Sequence, residues 1–421
     1  MGAAGLASTA DAPAAGPPVA LYVHVPFCVS LCPYCDFVVY AGAAARGPNA
    51  RVEAFLPALE AELVLRADAL DAAFGGPGAT GRPPLQTLYL GGGTPSLMAP
   101  AAIAGLVELV GERYGLAPDA EVTLEANPGP DERGDAAAWA TAGVNRLSFG
   151  AQSMDDRELK RIGRRHHAAD VADAVAEARA AGIGSVSLDL LYDLPDSSVA
   201  TWMTTLDAAL ELTPDHLSLY GLTLDDPDAE GLTGPEGDHL PTTRGARRWR
   251  EIARPGQDED RAAAEYHHAV VRLKEARFHG YEISNWARPG HESRHNLTYW
   301  GRLPYEAVGP GAHAFDGLTR RWNAARLDGY VAALTPADGS PPILPPGGAE
   351  VIDAETAAAE RVILGLRLDT GIPLATAHEP PLADSFGWAL TAELIDVTPD
   401  DRVVLTTRGR LLSNELFERL V

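Results

Sequence analysis

An alternation of short and long apolar patterns, running from residue 20 to residue 224, restricts the fold more than any other feature of the sequence. The short runs are LYVHVPF (21–27), TLYLG (87–91), EVTLEA (121–126), RLSFG (146–150), SVSLDLL (185–191) and HLSLYGL (216–222). Their β-branched and aromatic character reads as buried strands. Between them lie stretches at 51–70, 100–113, 168–181 and 199–212 with apolar residues at three- and four-residue spacing, the period of an amphipathic helix. Strands joined by helix-length crossovers pair in parallel. Six such units predict an α/β fold built on a partial (β/α)6 barrel. Closing a full barrel takes eight units, and the pattern breaks near Asp225.

The rest of the chain divides by composition. Residues 1–19 are rich in Ala, Gly and Pro and contain no Lys or Arg, which suits a disordered leader and neither a secretory signal nor a mitochondrial presequence. Residues 20–224 form the partial barrel, and 225–262 read as a Pro-, Gly- and charge-rich loop or insertion. Residues 263–335 complete the barrel with a helix and a short strand in YEISNWA (281–287). The Pro/Gly-rich stretch 335–350 reads as a linker. Residues 336–421 form a smaller helical, winged C-terminal domain, with a β-hairpin expected to turn at Arg408–Gly409 before a closing helix.

Net charge is −24, and such an acidic surface disfavours nucleic acid, whose backbone demands clustered Lys and Arg. The basic run Arg244–Arg254 is flanked by acidic residues and reads as a solvated insertion. No uninterrupted apolar stretch has the length of a membrane span. Cytoplasm is the expected compartment, and peripheral contact with a membrane stays open.

Only three cysteines occur, Cys28, Cys32 and Cys35, on a loop directly after the first strand. A disulfide framework would spread an even number along the chain, so clustering points to a metal. Three thiolates suit three irons of a [4Fe–4S] cube and leave the fourth iron open. Structural zinc is the alternative; it takes four ligands, and His24 is the nearest candidate for the fourth.

With those residues in view, YVHVPFCVSLCPYCDF (22–37) resembles the cluster loop of radical S-adenosylmethionine (SAM) proteins in the oxygen-independent coproporphyrinogen oxidase family. Later motifs follow in the same order through residue 421, and the resemblance implies a HemN-like C-terminal domain. It also implies that Gly92, Gly93 and Thr94 of LGGGTPS form the turn that binds the methionine part of SAM. Glu125, Gln152 and Asp189, at or near the ends of the next strands, together with Arg164 and Tyr22, are implied to bind the rest of the cofactor. Carboxylates accept from ribose hydroxyls, and Arg or Gln pairs with a carboxylate or the adenine edge.

Within that family, the coproporphyrinogen-oxidising enzymes carry a further cysteine two residues after the third, where this chain has Phe37. His295-Asn296-Leu297-Thr298-Tyr299-Trp300, followed by GPGAHAF, instead resembles the HemW-type heme chaperones. The resemblance implies a chaperone that binds haem and passes it to haem-requiring apoproteins. A [4Fe–4S] cluster and SAM would serve structure, redox control or dimerisation, with an electron donor and a homodimer as further partners. His295 is then a candidate haem ligand, because imidazole is a good axial ligand and Tyr and Trp pack on a porphyrin face. The alternative is a hydrogen-bonded structural histidine. An oxidative decarboxylase of coproporphyrinogen III, a related radical SAM methyltransferase and a zinc scaffold remain as rival functions. Two positions depart from the family pattern in LYDLPDSS: Asp193 stands where Gly is usual, tolerated at modest cost if that Gly supplies a positive φ, and Ser197 stands where Gln is usual.

Overall fold

A computed structural model describes residues 15–44, 51–78, 82–224 and 227–421. Most of the expected leader (1–14) and the expected break at Asp225 lie outside the described residues. Strand β1 spans Ala20–Val25, and a two-residue pair, β2 (Phe27–Cys28) with β3 (Tyr40–Ala41), brackets the cysteine loop. The next parallel strands are β4 (Leu85–Gly92), β5 (Leu116–Ala126), β6 (Arg146–Gln152), β7 (Ser185–Tyr192) and β8 (His216–Gly221). They pair in sequence order after β1. The crossovers carry α1 (Val52–Phe74), α2 (Pro100–Arg113), α3 (Ala136–Thr141), α4 (Asp156–Arg161), α5 (Ala168–Ala180) and α6 (Val199–Glu211). Ser198 caps α6 by accepting from Thr201 N, as a helix N-terminus requires.

The sheet continues past the six expected strands. After α7 (Arg244–Ala253) and α8 (Glu259–Glu275), strands β9 (His279–Gly280) and β10 (Asn285–Ala287) extend it antiparallel beyond β8. Helix α9 (Arg294–Trp300) follows, and β11 (Tyr305–Val308) pairs parallel to β1 on its free side. Strands β12 (His313–Phe315), β13 (Thr319–Asn323) and, after α10 (Leu327–Leu334), β14 (Gly347–Val351) add an antiparallel edge. The twelve-stranded order starts at β14 and ends at β9, so the barrel is partial. Residues 347–350 of the expected linker are therefore sheet. The insertion around 225–262 likewise contains ordered structure, namely α7 and the start of α8.

Side chains alternate across each strand, and this decides the layers. Leu21, Val23 and Val25 of β1 join Leu88, Leu90, Leu124, Leu147, Leu188 and Leu217 in one core beneath the helices. Tyr22 and His24 occupy the alternate positions of β1 and point to the inner face. A second core, including Val362 and Leu366 of α11 (Ala354–Arg367), Ile372, Val403 and Leu405, forms the small C-terminal unit. Its three-stranded sheet orders β15 (Ile372–Pro373), β17 (Arg402–Leu405) and β16 (Ile395–Val397). The hairpin turns over Thr398–Asp401 rather than at Arg408–Gly409: Asp401 has φ +55° and donates to Thr398 O. The physical reason is turn chemistry, since Pro399 and the Asp pair suit a tight turn. Thr406 then caps the helix holding Arg408 and Gly409 by accepting from Gly409 N (2.9 Å).

Candidate cofactor site

The C-terminal ends of β4–β8 open onto a cavity of about 510 Å³, where ligands gather in parallel α/β sheets. All three cysteines line it, as do Gly92, Gly93, Glu125, Gln152, Arg164 and Asp189. The thiols are free, and burial pushes that of Cys28 up to about 12 and that of Cys35 higher still. A buried thiol becomes a thiolate readily only beside positive charge, which a bound metal supplies. Among the described residues no group of three His, Cys, Asp or Glu closes on a single ion. A four-iron cube asks for one thiolate per iron, so this donor set fits a cluster better than a tetrahedral zinc.

The glycine-rich turn fits the cysteine loop as much as it fits a ligand. Gly93 N donates to Val25 O (2.9 Å) and Thr94 N to Phe27 O (2.7 Å). A Cβ at Gly93 would come within 2.8 Å of backbone atoms of Val25 and Phe27, so only glycine allows this approach. Thr94 itself does not line the cavity; it is buried behind the loop, where its hydroxyl meets Cys28 Sγ at 3.1 Å. These contacts use amide donors. A ligand ammonium needs acceptors, which a backbone provides as carbonyls.

Glu125 is the most constrained acid in the cavity. Its Oε1 accepts from Tyr89 OH (2.7 Å) and its Oε2 from Gly92 N (2.9 Å). Burial pushes its carboxyl up to about 7, with the negative charge of Asp189 adding to the effect. Asp189 is raised by burial as well and accepts from Ser148 Oγ (3.2 Å). Gln152 has φ +68°, and the register of β6 against β7 slips between Phe149 and Gln152. A bulge of this kind re-aims a side chain at the end of a strand. Arg164 donates to Gly150 O (2.7 Å), to Asn127 Oδ1 and to Cys32 Sγ (3.5 Å), so it ties the cysteine loop to the strand ends.

Two predicted residues lie elsewhere. Tyr22 lines a second cavity, of about 500 Å³, on the side of β1 nearer β11 and β12. Its hydroxyl donates to His24 Nδ1 (3.0 Å), because His24 Nε2 already donates to Val38 O (2.9 Å). His295 lines neither cavity. It is buried between them, with Nδ1 2.7 Å from Thr87 Oγ1 and Nε2 2.7 Å from Tyr299 OH. Its ring packs 5.0 Å from both Tyr89 and Tyr299, centroid to centroid, and 6.4 Å from Tyr22. These rings form an aromatic wall. The next residue of the motif, Asn296, faces the cluster cavity, while Tyr299 and Trp300 face the second one.

Sequence reasoning missed Asn127, Arg146, His216, Ser218 and Tyr220, all on the cluster cavity. A signal was present: polar residues recur every second position at 125 and 127, at 146 and 148, and at 216, 218 and 220, which marks an inner sheet face. The basic run near 244–254 keeps Arg244, Arg247 and Arg248 exposed, as a solvated segment would, and docks its other face on the cysteine loop. Arg250, buried on α7, donates from Nε to Pro33 O and from Nη2 to Cys35 O, each at 3.1 Å. Trp249 packs beside Tyr34, with ring centroids 6.4 Å apart. Asp193 has the expected positive φ, +54°, and its carboxylate accepts from Arg261, Gln257 and Asp258 N. Ser197 donates to Glu158 away from the cavity.

Residues 22–209 match the model of the Radical SAM superfamily. Proteins named heme chaperone HemW match nearly end to end: that of Mycobacterium tuberculosis is 39% identical over 412 residues, covering 97% of this chain and 96% of its own. The Bacillus subtilis protein of that name is 31% identical over 410 residues, covering 94% and 97%. The chain belongs to the HemW heme chaperone family. The Escherichia coli HemW is 36% identical over 297 residues, 70% of each chain. The solved structure of coproporphyrinogen III oxidase (HemN) from E. coli, a radical SAM enzyme, superposes with a TM-score of 0.75 at 22% identity, over 96% of this chain and 90% of that one. This chain and that enzyme thus share a fold. Radical SAM membership implies a [4Fe–4S] cluster and SAM. Among the described residues no helix is long and apolar enough to cross a membrane.

Proposed function

We propose that this protein binds haem and delivers it to haem-requiring apoproteins, with a [4Fe–4S] cluster on Cys28, Cys32 and Cys35 and SAM beside it. The observation that carries this reading is the match over nearly the whole chain to proteins named heme chaperones. Phe37 supports it from the geometry: where the oxidases carry a cysteine, this chain presents a phenyl ring that is 64% exposed and borders both cavities.

The residues divide the work. Cys28, Cys32 and Cys35 would hold the cluster, which when bound would supply one-electron reducing chemistry beside SAM. Arg164 and Thr94 contact two of the thiols and fix the loop, and Arg250 holds its carbonyls from outside. Glu125 and Asp189 offer acceptors to the hydroxyls of SAM, and Gln152 offers an amide to its polar edge. His295 holds the wall between the two cavities.

The test is anaerobic reconstitution with iron and sulfide, then haem titration beside a coproporphyrinogen III turnover assay with SAM and reductant. Stoichiometric haem binding without protoporphyrinogen is the expected result. Protoporphyrinogen accompanied by 5′-deoxyadenosine would make the protein an oxidase and overturn the chaperone reading.

A further inference from the structure

Among the described residues three arginines are buried, Arg82, Arg146 and Arg250. Two of them are fully engaged. Arg82 donates to Gly75 O and Arg113 O and pairs with Asp71, and Arg250 donates to Pro33 O and Cys35 O. Arg146 differs. It is 3% exposed, its Nε has no hydrogen-bond partner, and among the described residues no carboxylate stands within ion-pair distance of its guanidinium.

The acids whose charge reaches it, Glu121 and Asp189, are engaged elsewhere. Glu121 accepts from Arg294 N and His295 N, each at 3.1 Å, and Asp189 accepts from Ser148 Oγ (3.2 Å). A guanidinium carries five donors and does not shed its proton. Left unpaired inside a protein it is costly to fold around, so its retention asks for a partner that arrives from outside.

The position of Arg146 says where that partner would sit. Arg146 lines the cluster cavity and opens strand β6, while Gln152 closes the strand. Six steps at about 3.3 Å each put the two backbones roughly 20 Å apart. Arg164, Gly150 and the cysteine loop gather at the Gln152 end. The cavity therefore has a cation at each end: Arg164, tied to Cys32, at the mouth, and Arg146 at the floor. Beneath Arg146 the barrel is closed. Glu121, two residues before the register partner Thr123, holds the start of α9, and Tyr281 OH accepts from Ser293 N (3.2 Å). His216 on the same wall has both nitrogens in hydrogen bonds, to Ser187 and Tyr281.

We propose that the floor of the cluster cavity is a carboxylate subsite, in which the Arg146 guanidinium binds a small organic acid as a ligand separate from SAM. A planar guanidinium offers a carboxylate two parallel donors, which fixes the acid's orientation as well as its place. The closed floor means that the acid enters past the cysteine loop and lies deeper than a cofactor bound at the strand ends. The subsite goes beyond the haem-chaperone reading and does not rest on it.

The test is thermal melting of the full chain, reconstituted with iron and sulfide, in millimolar acetate or succinate against sodium chloride of equal ionic strength, with and without SAM. Wild type should melt about 1–2 °C higher in saturating acid, whether or not SAM is present. Arg146→Gln should melt at or above wild type in chloride, because it removes an unpaired buried charge, and should lose the response to acid. Arg146→Lys keeps the charge without the fork and should respond at least about threefold more weakly. That variant also reads the subsite if Arg146→Gln fails to fold. Wild type that acid does not move beyond chloride, or an Arg146→Gln or Arg146→Lys chain with the full response, would overturn the subsite. A response abolished by SAM would give the guanidinium to SAM's own carboxylate and overturn a separate acid. Haem titration of the same samples reports on the chaperone reading independently.

Discussion

The cluster cavity draws its lining from the ends of β4 to β8 and from the cysteine loop, whereas the second cavity draws on β1, β11, β12 and α9. The first is furnished with thiols, two raised carboxylates and an arginine tied to a thiol. The second is furnished with aromatic rings and a carboxylate shared by two histidines. A wall of Tyr22, Tyr89, His295 and Tyr299 stands between them. The difference shows how one sheet can carry two chemistries: alternation sends side chains to the inner face all along it, and each half of that face acquires its own set.

The sharpest way to break the comparison is to strip the first cavity of its cluster and ask whether haem still binds. Cys28→Ala should reduce iron after anaerobic reconstitution to background and leave the haem titration within about twofold of wild type, a difference of roughly 0.4 kcal/mol. Full iron content in that variant would remove Cys28 from the cluster. Loss of haem binding along with iron would tie haem to the cluster side of the sheet.

Arg250→Ala has a smaller expected effect on the same side. It leaves the carbonyls of Pro33 and Cys35 without these donors, and an unsatisfied buried group costs about 1–3 kcal/mol. Faster amide exchange over 34–36 and slower cluster assembly are expected, with haem titration unaffected. Exchange rates equal to wild type would mean that α7 merely lies against the loop.

The smallest effect is on pH dependence. Burial lowers His24 to about 4 and His295 to about 3, so both stay neutral in the folded chain while unfolded histidine protonates near 6.5. Stability from this pair is full above about 6.5 and is lost as pH falls toward 4. Glu125 works in the other direction: its carboxyl is raised to about 7, so its contribution is present at low pH and is lost as pH rises through 7. Thermal melting from pH 4 to pH 8 should show a shallower acid limb in His295→Gln and a shallower neutral limb in Glu125→Gln. Identical limbs in all three proteins would refute the neutral-wall description.

Much of the first cavity was legible because the cysteine spacing and the resemblance name the residues, and strand alternation carries them to the strand ends. Cys28, Cys32, Cys35, Glu125 and Asp189 fall on the cavity for that reason. At Asp193 the departure from Gly left the backbone conformation conditional, and the structure gives it a positive φ. Thr94 and Tyr22 lie off the first cavity, because a strand-end motif does not say whether a side chain meets that cavity, the adjoining loop or the opposite half of the sheet. The hairpin in the tail was shifted because Arg-Gly resembles a turn, while Pro399 and the Asp pair made a better one.

By itself, the sequence determined the parallel sheet and the thiol loop, which rest on local period and spacing, and the family, which rests on the resemblance of its ordered motifs. Only the tertiary structure decided that α7 clamps the cysteine loop, that His295 is sealed in a wall, and that Asp238 joins His239 to His313. Those contacts link residues 75 to 217 positions apart, and no local pattern encodes a partner that far along the chain. They exist because the long sheet brings its antiparallel edge and the inserted helix back onto the mouth and flank of the barrel.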